Sequence, residues 1–478
     1  MKNRKKTYLT GIIIALLAVI VTVTAILLPK GTSLSSSAFA IAQASYPDTA
    51  SFPDEMNYVD ENGNYDYESY EKDMEVWYEE RKSQRRTEYY PDSMKQYYVK
   101  TIRQFLSTQD KESNTVFSPL NIYMALCMLA EVTDGNSRQQ ILQLLGQSNM
   151  DALRTEALDL WNTTYRNDGA VTSILANSIW LNEDVSYKEE TIKNLCDHYY
   201  ASTFQGNMGS EAYDKALQEW LDKQTGGLLK EQAGEIKMDS SNVMTIASTV
   251  FFQSKWQNEF HPDNTEQGIF HGSTGDVTAD FMKDSSMGTY YWADSFSAVK
   301  RALDTEGNAM WFVLPDQGIQ VNDLLKEEQV FQLILNTNQW TNEKYVLINE
   351  SIPKFDTTSQ MELSEGLKNL GITDVFEMGT GDFSPMTQGG LDIFLSKVNH
   401  DTRVAIDEEG VTAAAYTVMS LCGSAMPKEE VDFILDRPFL FVITNPNGLP
   451  LFAGIVNQPN ESTLLLLNPR FRAFACKD

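Results

Sequence analysis

The sequence predicts a mixed α+β domain with antiparallel sheets, carried behind an export segment. Three observations lead there. Helical periodicity concentrates in the first half of the globular part, and strand-like runs concentrate in the second. The last two runs flank Asn445-Pro446-Asn447-Gly448, a turn signal that joins a hairpin. The 478 residues could hold one large domain or up to about three ordinary ones. At 42% hydrophobic residues the chain can bury a sizeable core without a disulfide or metal staple.

Met1–Lys6 is basic, and Ile12–Leu28 is apolar apart from Thr22 and Thr24. That order marks an export segment with its positive end kept inside. The run is longer than a signal core of about 7–15 residues and approaches the roughly 20 that span a bilayer. Ala38-Phe39-Ala40 resembles a cleavage site. Residues 1–44 are therefore either a cleaved signal peptide or an uncleaved anchor at the membrane. Both place the bulk of the protein outside the cytoplasm, secreted or held at the cell surface. Residues 45–90 are rich in Tyr and acid, and read as a flexible, self-repelling spacer with a short helix over Asp73–Arg86.

Beyond the spacer, Asp92 can cap a helix carrying Met94, Tyr98, Ile102 and Phe105 at helical spacing. Ser118-Pro119 opens a second helix, through Met128, with Pro in its favoured first turn. Ser137 can cap a third that stops at Gly146. Ser210–Leu221 and Ser359–Leu370 are amphipathic, the latter ended by Gly371. Strand signals lie at Ser173–Leu181, Val243–Phe252, Ala309–Leu314, Tyr345–Ile352, Leu391–Ile406, Phe439–Thr444 and Leu451–Val456.

Enzyme chemistry finds no foothold. There is no GxSxG elbow, no HExxH and no GxxxxGK[ST] loop. His261 and His271 match no short metal spacing, and His400 lies in a strand-like run where a hydrogen-bonded structural role fits it. No cofactor or metal is implied. The net charge of −28 argues against nucleic acid, which needs a basic face. Cys127, Cys196, Cys422 and Cys476 form no CxxC pair and allow three disulfide pairings. Cys127 reads as a buried thiol.

One stretch fits neither loop nor core. Gly410–Pro427 carries no charge for eighteen residues, yet is poor in large apolar groups and opens with Val411, Thr412, Ala413, Ala414 and Ala415. A solvated loop mixes in charge and Asn; a buried strand carries Ile, Leu and Phe. A segment that is neither suits two environments in turn.

The hinge IDEEGVTAAA (Ile406–Ala415) and the run DRPFLFVITNPNGLPLFAGIVNQP (Asp436–Pro459) resemble the signatures of the serpin family. NTVFSPLNIYMAL, ANSIWLNE, TVFFQSKWQNEF, FHGSTGDVTADFMK and LGITDVF follow in the family's order. The resemblance covers roughly Ser93–Pro459 and implies a domain over 91–460, leaving 461–478 as a tail of no assigned structure. It implies three β-sheets, about nine helices and an exposed reactive-centre loop. The implied activity is suicide inhibition of serine proteases by a monomer. The protease cuts the loop and is acylated, and the loop then inserts into the central sheet. The alternative is a non-inhibitory carrier, chaperone or surface interaction protein of the same fold.

By the same resemblance, Glu408 at the loop base pairs with Lys354, and Gly410 and Val411–Ala415 form the hinge. Trp256 lies where insertion starts. Ser118, Asn121, Ser248 and His400 form the region where the sheet opens, with Asn121 and Ser248 standing where the family has a Ser and an Asn. Sixteen residues on from Glu408, the family's spacing puts the scissile bond at Ser424–Ala425. The bait around it is Leu421, Cys422, Gly423 and Met426. Counting back from Pro438 lands instead near Pro427, about three residues away. Small residues at the bond suit a shallow pocket, elastase-like or subtilisin-like. Met426 or Met419 suits a chymotrypsin-like enzyme, and the lack of Arg or Lys disfavours trypsin-like ones. Val411 and Tyr416 depart from the small or hydroxylated residues usual at their places.

Overall fold

The computed structural model describes residues 36–61, 63–84, 90–109, 112–304, 306–388, 392–396, 398–411 and 429–459. Two large sheets carry the fold. The first is eight-stranded and runs, edge to edge, Ala40–Ala42, Ala201–Gly206, Val171–Asn182, Met244–Lys255, Gly410–Val411, Asn399–Ile406 and Phe355–Glu362, with Arg166–Asn167 beside Val171–Asn182. The second is nine-stranded, from Glu430–Ile434 through Glu343–Pro353, Gly275–Trp292, Phe296–Ala302, Ala309–Pro315, Phe439–Thr444 and Pro450–Val456 to Thr115–Phe117, with Glu266–Gly272 on Gly275–Trp292.

The three sheets expected are joined into two ladders by one strand. Gly275–Trp292 is eighteen residues long. It pairs with Glu266–Gly272 over Gly275–Phe281, with Glu343–Pro353 over Phe281–Tyr291, and with Phe296–Ala302 at its last three residues. Eleven α-helices are described against about nine expected; three of them, Lys230–Gly234, Val321–Leu324 and Ser364–Asn369, are six residues or fewer.

The helix Pro119–Val132 forms as its sequence directs. Pro119 is in the first turn, and Ser118 Oγ accepts the Asn121 N–H at 3.3 Å. All its residues but Ala125 are buried, because it lies in the core between the sheets and the neighbouring helices. The opposite face of the first sheet is covered by Glu211–Gln224, whose Tyr213, Leu217 and Trp220 pack on Trp180 and Phe204. At the sheet's centre, buried residues of Asn399–Ile406 alternate with half-buried or exposed ones, so a strand added there must be uncharged on its inner side.

Several boundaries differ from expectation. Pro91, not Asp92, is the N-cap of the first domain helix, which spans Asp92–Ser107. The helix expected to be capped by Ser137 starts at Gly135 after Asp134, and ends at Gly146 in the left-handed conformation. Ser359–Glu362 belong to a strand, since the ladder Phe355–Glu362 against Asn399–Ile406 claims their backbone. Within the run Leu391–Ile406, the described strand begins only at Asn399.

The larger correction concerns the acidic segment read as a flexible spacer. Its helix, Tyr67–Gln84, is longer than the Asp73–Arg86 expected at its start and packs on the body. Trp77 is 2% exposed and donates Nε1–H to Asp168 at 3.1 Å. One turn on, Arg81 is buried against Glu306 at 3.1 Å. Upstream, the Phe52 N–H donates to the Asp168 carbonyl and Tyr46 packs on Trp161. Two anchors four residues apart suffice to dock the helix, and they leave too few apolar positions for periodicity to register. Ala40–Ala42, inside the segment read as signal or anchor, forms the edge strand beside Ala201–Gly206. No helix of the described residues is long and apolar enough to cross a membrane; Ile12–Leu28 lies outside them.

Candidate functional site

The first sheet is interrupted at its centre. Met244–Lys255 and Asn399–Ile406 are both antiparallel to Gly410–Val411 and hence parallel to each other. Among the described residues, no ladder pair joins these two strands directly. Gly410 pairs with Lys255, and Val411 pairs with Ser254 on one side and Ile406 on the other. Val411 is 2% exposed and belongs to the main core. A β-carbon on Gly410 would lie 2.3 Å from the Ser254 carbonyl oxygen, so only Gly fits this close approach. A cavity of about 20 Å³ lies further down between the two strands, lined by Thr249–Phe251, Asp401–Arg403, Ser118 and Asn121.

The turn Asp407–Glu409 delivers Gly410 into this position. Asp407 Oδ1 accepts the N–H groups of Glu409 and Gly410, at 3.0 and 3.2 Å, a side-chain mimic of a backbone turn. Trp256 donates its main-chain N–H to the Glu409 carbonyl at 2.9 Å and its Nε1–H to the Asp407 carbonyl at 2.8 Å. The Phe260 N–H donates to the Glu408 carbonyl at 3.0 Å. Lys354 Nζ lies 2.6 Å from Glu408 Oε1, which also accepts the Thr265 hydroxyl at 2.6 Å. Burial alone raises the Glu408 pKa, but the bonds from Lys354 and Thr265 outweigh it and hold the carboxyl below its usual value.

Ser118, Asn121, Ser248 and His400 do not form one network. His400 is buried, and burial pushes its pKa down to about 3. Its Nε2 accepts the Ser118 N–H at 3.0 Å and lies 2.7 Å from the Thr402 hydroxyl, an arrangement that needs the neutral imidazole. Ser248 turns away, donating to Asn177 Oδ1 at 2.7 Å, and Asn177 donates to the Tyr199 carbonyl. The Asn121 amide oxygen is buried with no hydrogen-bond partner. A serine side chain is shorter than an asparagine's, so Ser248 reaches its ladder partner Asn177 rather than across the interrupted sheet.

Trp256, Lys354, Glu408, Gly410 and Val411 therefore converge at the centre of the first sheet, with His400 further down the strand Asn399–Ile406 and Ser118, the N-cap of Pro119–Val132, bonded to it. Thr412, Ala413, Ala414, Ala415, Leu421, Cys422, Gly423, Ser424, Ala425 and Met426 lie outside the described residues. On the other side of these residues, Glu430–Ile434 lies in the second sheet, parallel to Glu343–Pro353. Sequence reasoning did not find Thr265, Phe260, Thr402 or Asn177, since each acts through a main-chain or hydroxyl contact that leaves no periodic or charge signal. His261 and His271 are exposed, and His271 Nδ1 is 2.8 Å from Asp276.

A family model described as "Serpin (serine protease inhibitor)" matches residues 93–459. Serpin-ZX of Arabidopsis thaliana is 29% identical over 374 residues, covering 74% of this chain and 94% of that protein. Alpha-1-antitrypsin 1-4 of Mus musculus is 30% identical over 363 residues, covering 74% and 85%. Among solved structures, the thermophilic serpin tengpin in its native state superposes with a TM-score of 0.68 at 24% identity, covering 77% of this chain and 93% of that one. Arabidopsis AtSerpin1 in a native stressed conformation gives 0.66 at 28%, covering 77% and 98%.

Proposed function

This chain belongs to the serpin family, and on that premise we propose that it is an extracellular suicide-substrate inhibitor of serine endopeptidases with shallow specificity pockets, elastase-like or subtilisin-like. The observation that carries the reading is Gly410–Val411 paired between two mutually parallel strands. Continuing that register places Ala413 between Phe252 and Val404, Ala415 between Val250 and Thr402, and Thr417 between Ser248 and His400. Strand alternation keeps these residues on Val411's buried face, and all are small or uncharged. Tyr416 falls on the other face. Each inserted residue adds ladder hydrogen bonds worth about 1 kcal/mol net. A dozen or so residues then release on the order of 10 kcal/mol, which makes insertion effectively irreversible.

In this reading the protease attacks the Ser424 carbonyl, Ala425 leaves as a new amino terminus, and residues 412–424 insert while still esterified to the protease. Leu421, Cys422, Gly423 and Met426 set which proteases attack. Ser118, Asn121, Ser248 and His400 line the path the strand takes, and Glu408, Lys354 and Trp256 hold its entry.

Incubation with elastase, subtilisin, chymotrypsin and trypsin, followed by a denaturing gel, tests this. The expected result is a denaturant-resistant complex with elastase or subtilisin and a released fragment beginning at Ala425. Clean cleavage by all four without a complex would favour the carrier reading and discard inhibition.

A further inference from the structure

Besides the side-chain bonds from Lys354 and Thr265, three donors on Trp256 and Phe260 hold the main-chain carbonyls of the turn Asp407–Glu409. The segment carrying them, Trp256–Phe260, has neither helix nor strand of its own. Something outside it must fix its shape. Arg301, on the strand Phe296–Ala302, does so from behind. Its guanidinium carbon lies 3.7 Å from the Phe260 ring centroid and 5.6 Å from that of Trp256. Its Nη2 donates to the Asn258 carbonyl at 2.6 Å, midway along the same segment. One planar cation thus touches both rings and the backbone between them, a combination that a lysine's point charge cannot reproduce.

Arg301 is 7% exposed. Glu350 and Asp284, facing each other on the next two strands, meet its charge; Asp284 Oδ2 lies 3.3 Å away. Its Nε has no partner. A buried ion pair with an unpaired donor is costly, and in other proteins well-packed apolar residues often replace such pairs without loss of stability. The arrangement calls for a role beyond packing.

We propose that Arg301 is a positioning residue for the hinge. By holding Phe260, Trp256 and Asn258 together, it sets the three donors that register Asp407–Glu409, and through that turn seats Gly410–Val411 between the two strands. The consequence for inhibition rests on the insertion reading above; the positioning itself does not.

Two variants separate this from general packing. Arg301→Leu/Glu350→Leu removes the two most buried charges of the cluster and leaves Asp284, whose side chain is 28% exposed, to be hydrated by solvent. Arg301→Lys keeps the charge but not the plane. Hydrogen exchange on the uncleaved protein, without protease, reads the amides of Trp256 and Phe260 against those of the strand Val171–Asn182. In both variants the first two are expected to exchange at least tenfold faster, with the reference strand unchanged. The moles of inhibitor consumed per mole of elastase trapped are expected to rise severalfold. Unchanged exchange at Trp256 and Phe260, or an equal rise in the reference strand, overturns the proposal. Because exchange needs no complex, a chain that proves non-inhibitory refutes the insertion reading while the positioning claim stands or falls on the amides alone.

Discussion

Gly410→Ala should unseat the hinge. The added methyl carbon would lie 2.3 Å from Ser254 O and 2.6 Å from Lys255 Cα, both main-chain atoms of a central strand that cannot yield as a side-chain tip would. Gly410 is not among the glycines with positive φ, so backbone strain does not confound the test. Relief requires Gly410–Val411 to leave the ladder. Val411, now 2% exposed, then loses roughly 1.5–3 kcal/mol of burial, and its ladder bonds about 1 kcal/mol each. If about half of a 4 kcal/mol total is still needed when insertion begins, that step slows on the order of thirtyfold, since each 1.4 kcal/mol is a factor of ten. More inhibitor would then be hydrolysed before it can trap the protease. The assay is titration of elastase with wild type and variant, with the cleaved and complexed products weighed on a denaturing gel. A rise of tenfold or more in inhibitor consumed per protease is expected. Unchanged consumption, with unchanged amide protection at Val411, would refute the view that the seated hinge begins insertion.

Ala413→Arg should turn the inhibitor into a substrate, because position 413 falls between buried Phe252 and Val404 on insertion and an unpaired charge there costs several kcal/mol; complex formation equal to wild type on a gel would contradict insertion. His400, whose pKa is lowered to about 3 by burial, stays neutral in the folded protein while the unfolded chain takes up a proton near pH 6.5. Stability should therefore fall as pH drops from about 6.5 towards 3, by as much as a few kcal/mol, and His400→Gln should flatten that slope in thermal melts. Trp77→Ala should cost about 3–5 kcal/mol of docking for the helix Tyr67–Gln84. Limited proteolysis would then cleave that helix while sparing the body, and equal resistance in variant and wild type would count against the Trp77 anchor.

Much of the fold could be read directly. Ser118-Pro119 announced a helix start, Gly146 a helix stop, and the apolar runs Phe439–Thr444 and Pro450–Val456 around a turn announced a hairpin. Each of those signals is local, since a cap, a left-handed glycine or a short hairpin turn depends only on neighbours in the chain. The helices Met150–Thr164 and Glu189–Tyr199 and the strand Gly275–Trp292 escaped notice. Gly275–Trp292 has large apolar residues that do not alternate regularly, and it is held by ladder bonds to three partners, which leave no imprint on its own periodicity. The Glu408–Lys354 pair was legible through resemblance, and its geometry follows. Ser248 was placed with His400 by the same resemblance and instead bonds Asn177, because side-chain reach decides such a contact and sequence order does not.

By itself the sequence determined the resemblance to the family, the uncharged composition of Gly410–Pro427, and the run of small residues that opens that stretch. These are properties of single residues and their order. Only the tertiary structure decided that Gly410–Val411 lies between two parallel strands, that Arg301 backs the segment holding its turn, and that the acidic helix Tyr67–Gln84 is docked through Trp77 and Arg81. Each of those joins residues dozens to hundreds of positions apart, and the free energy of such contacts depends on distance and burial that no local pattern records.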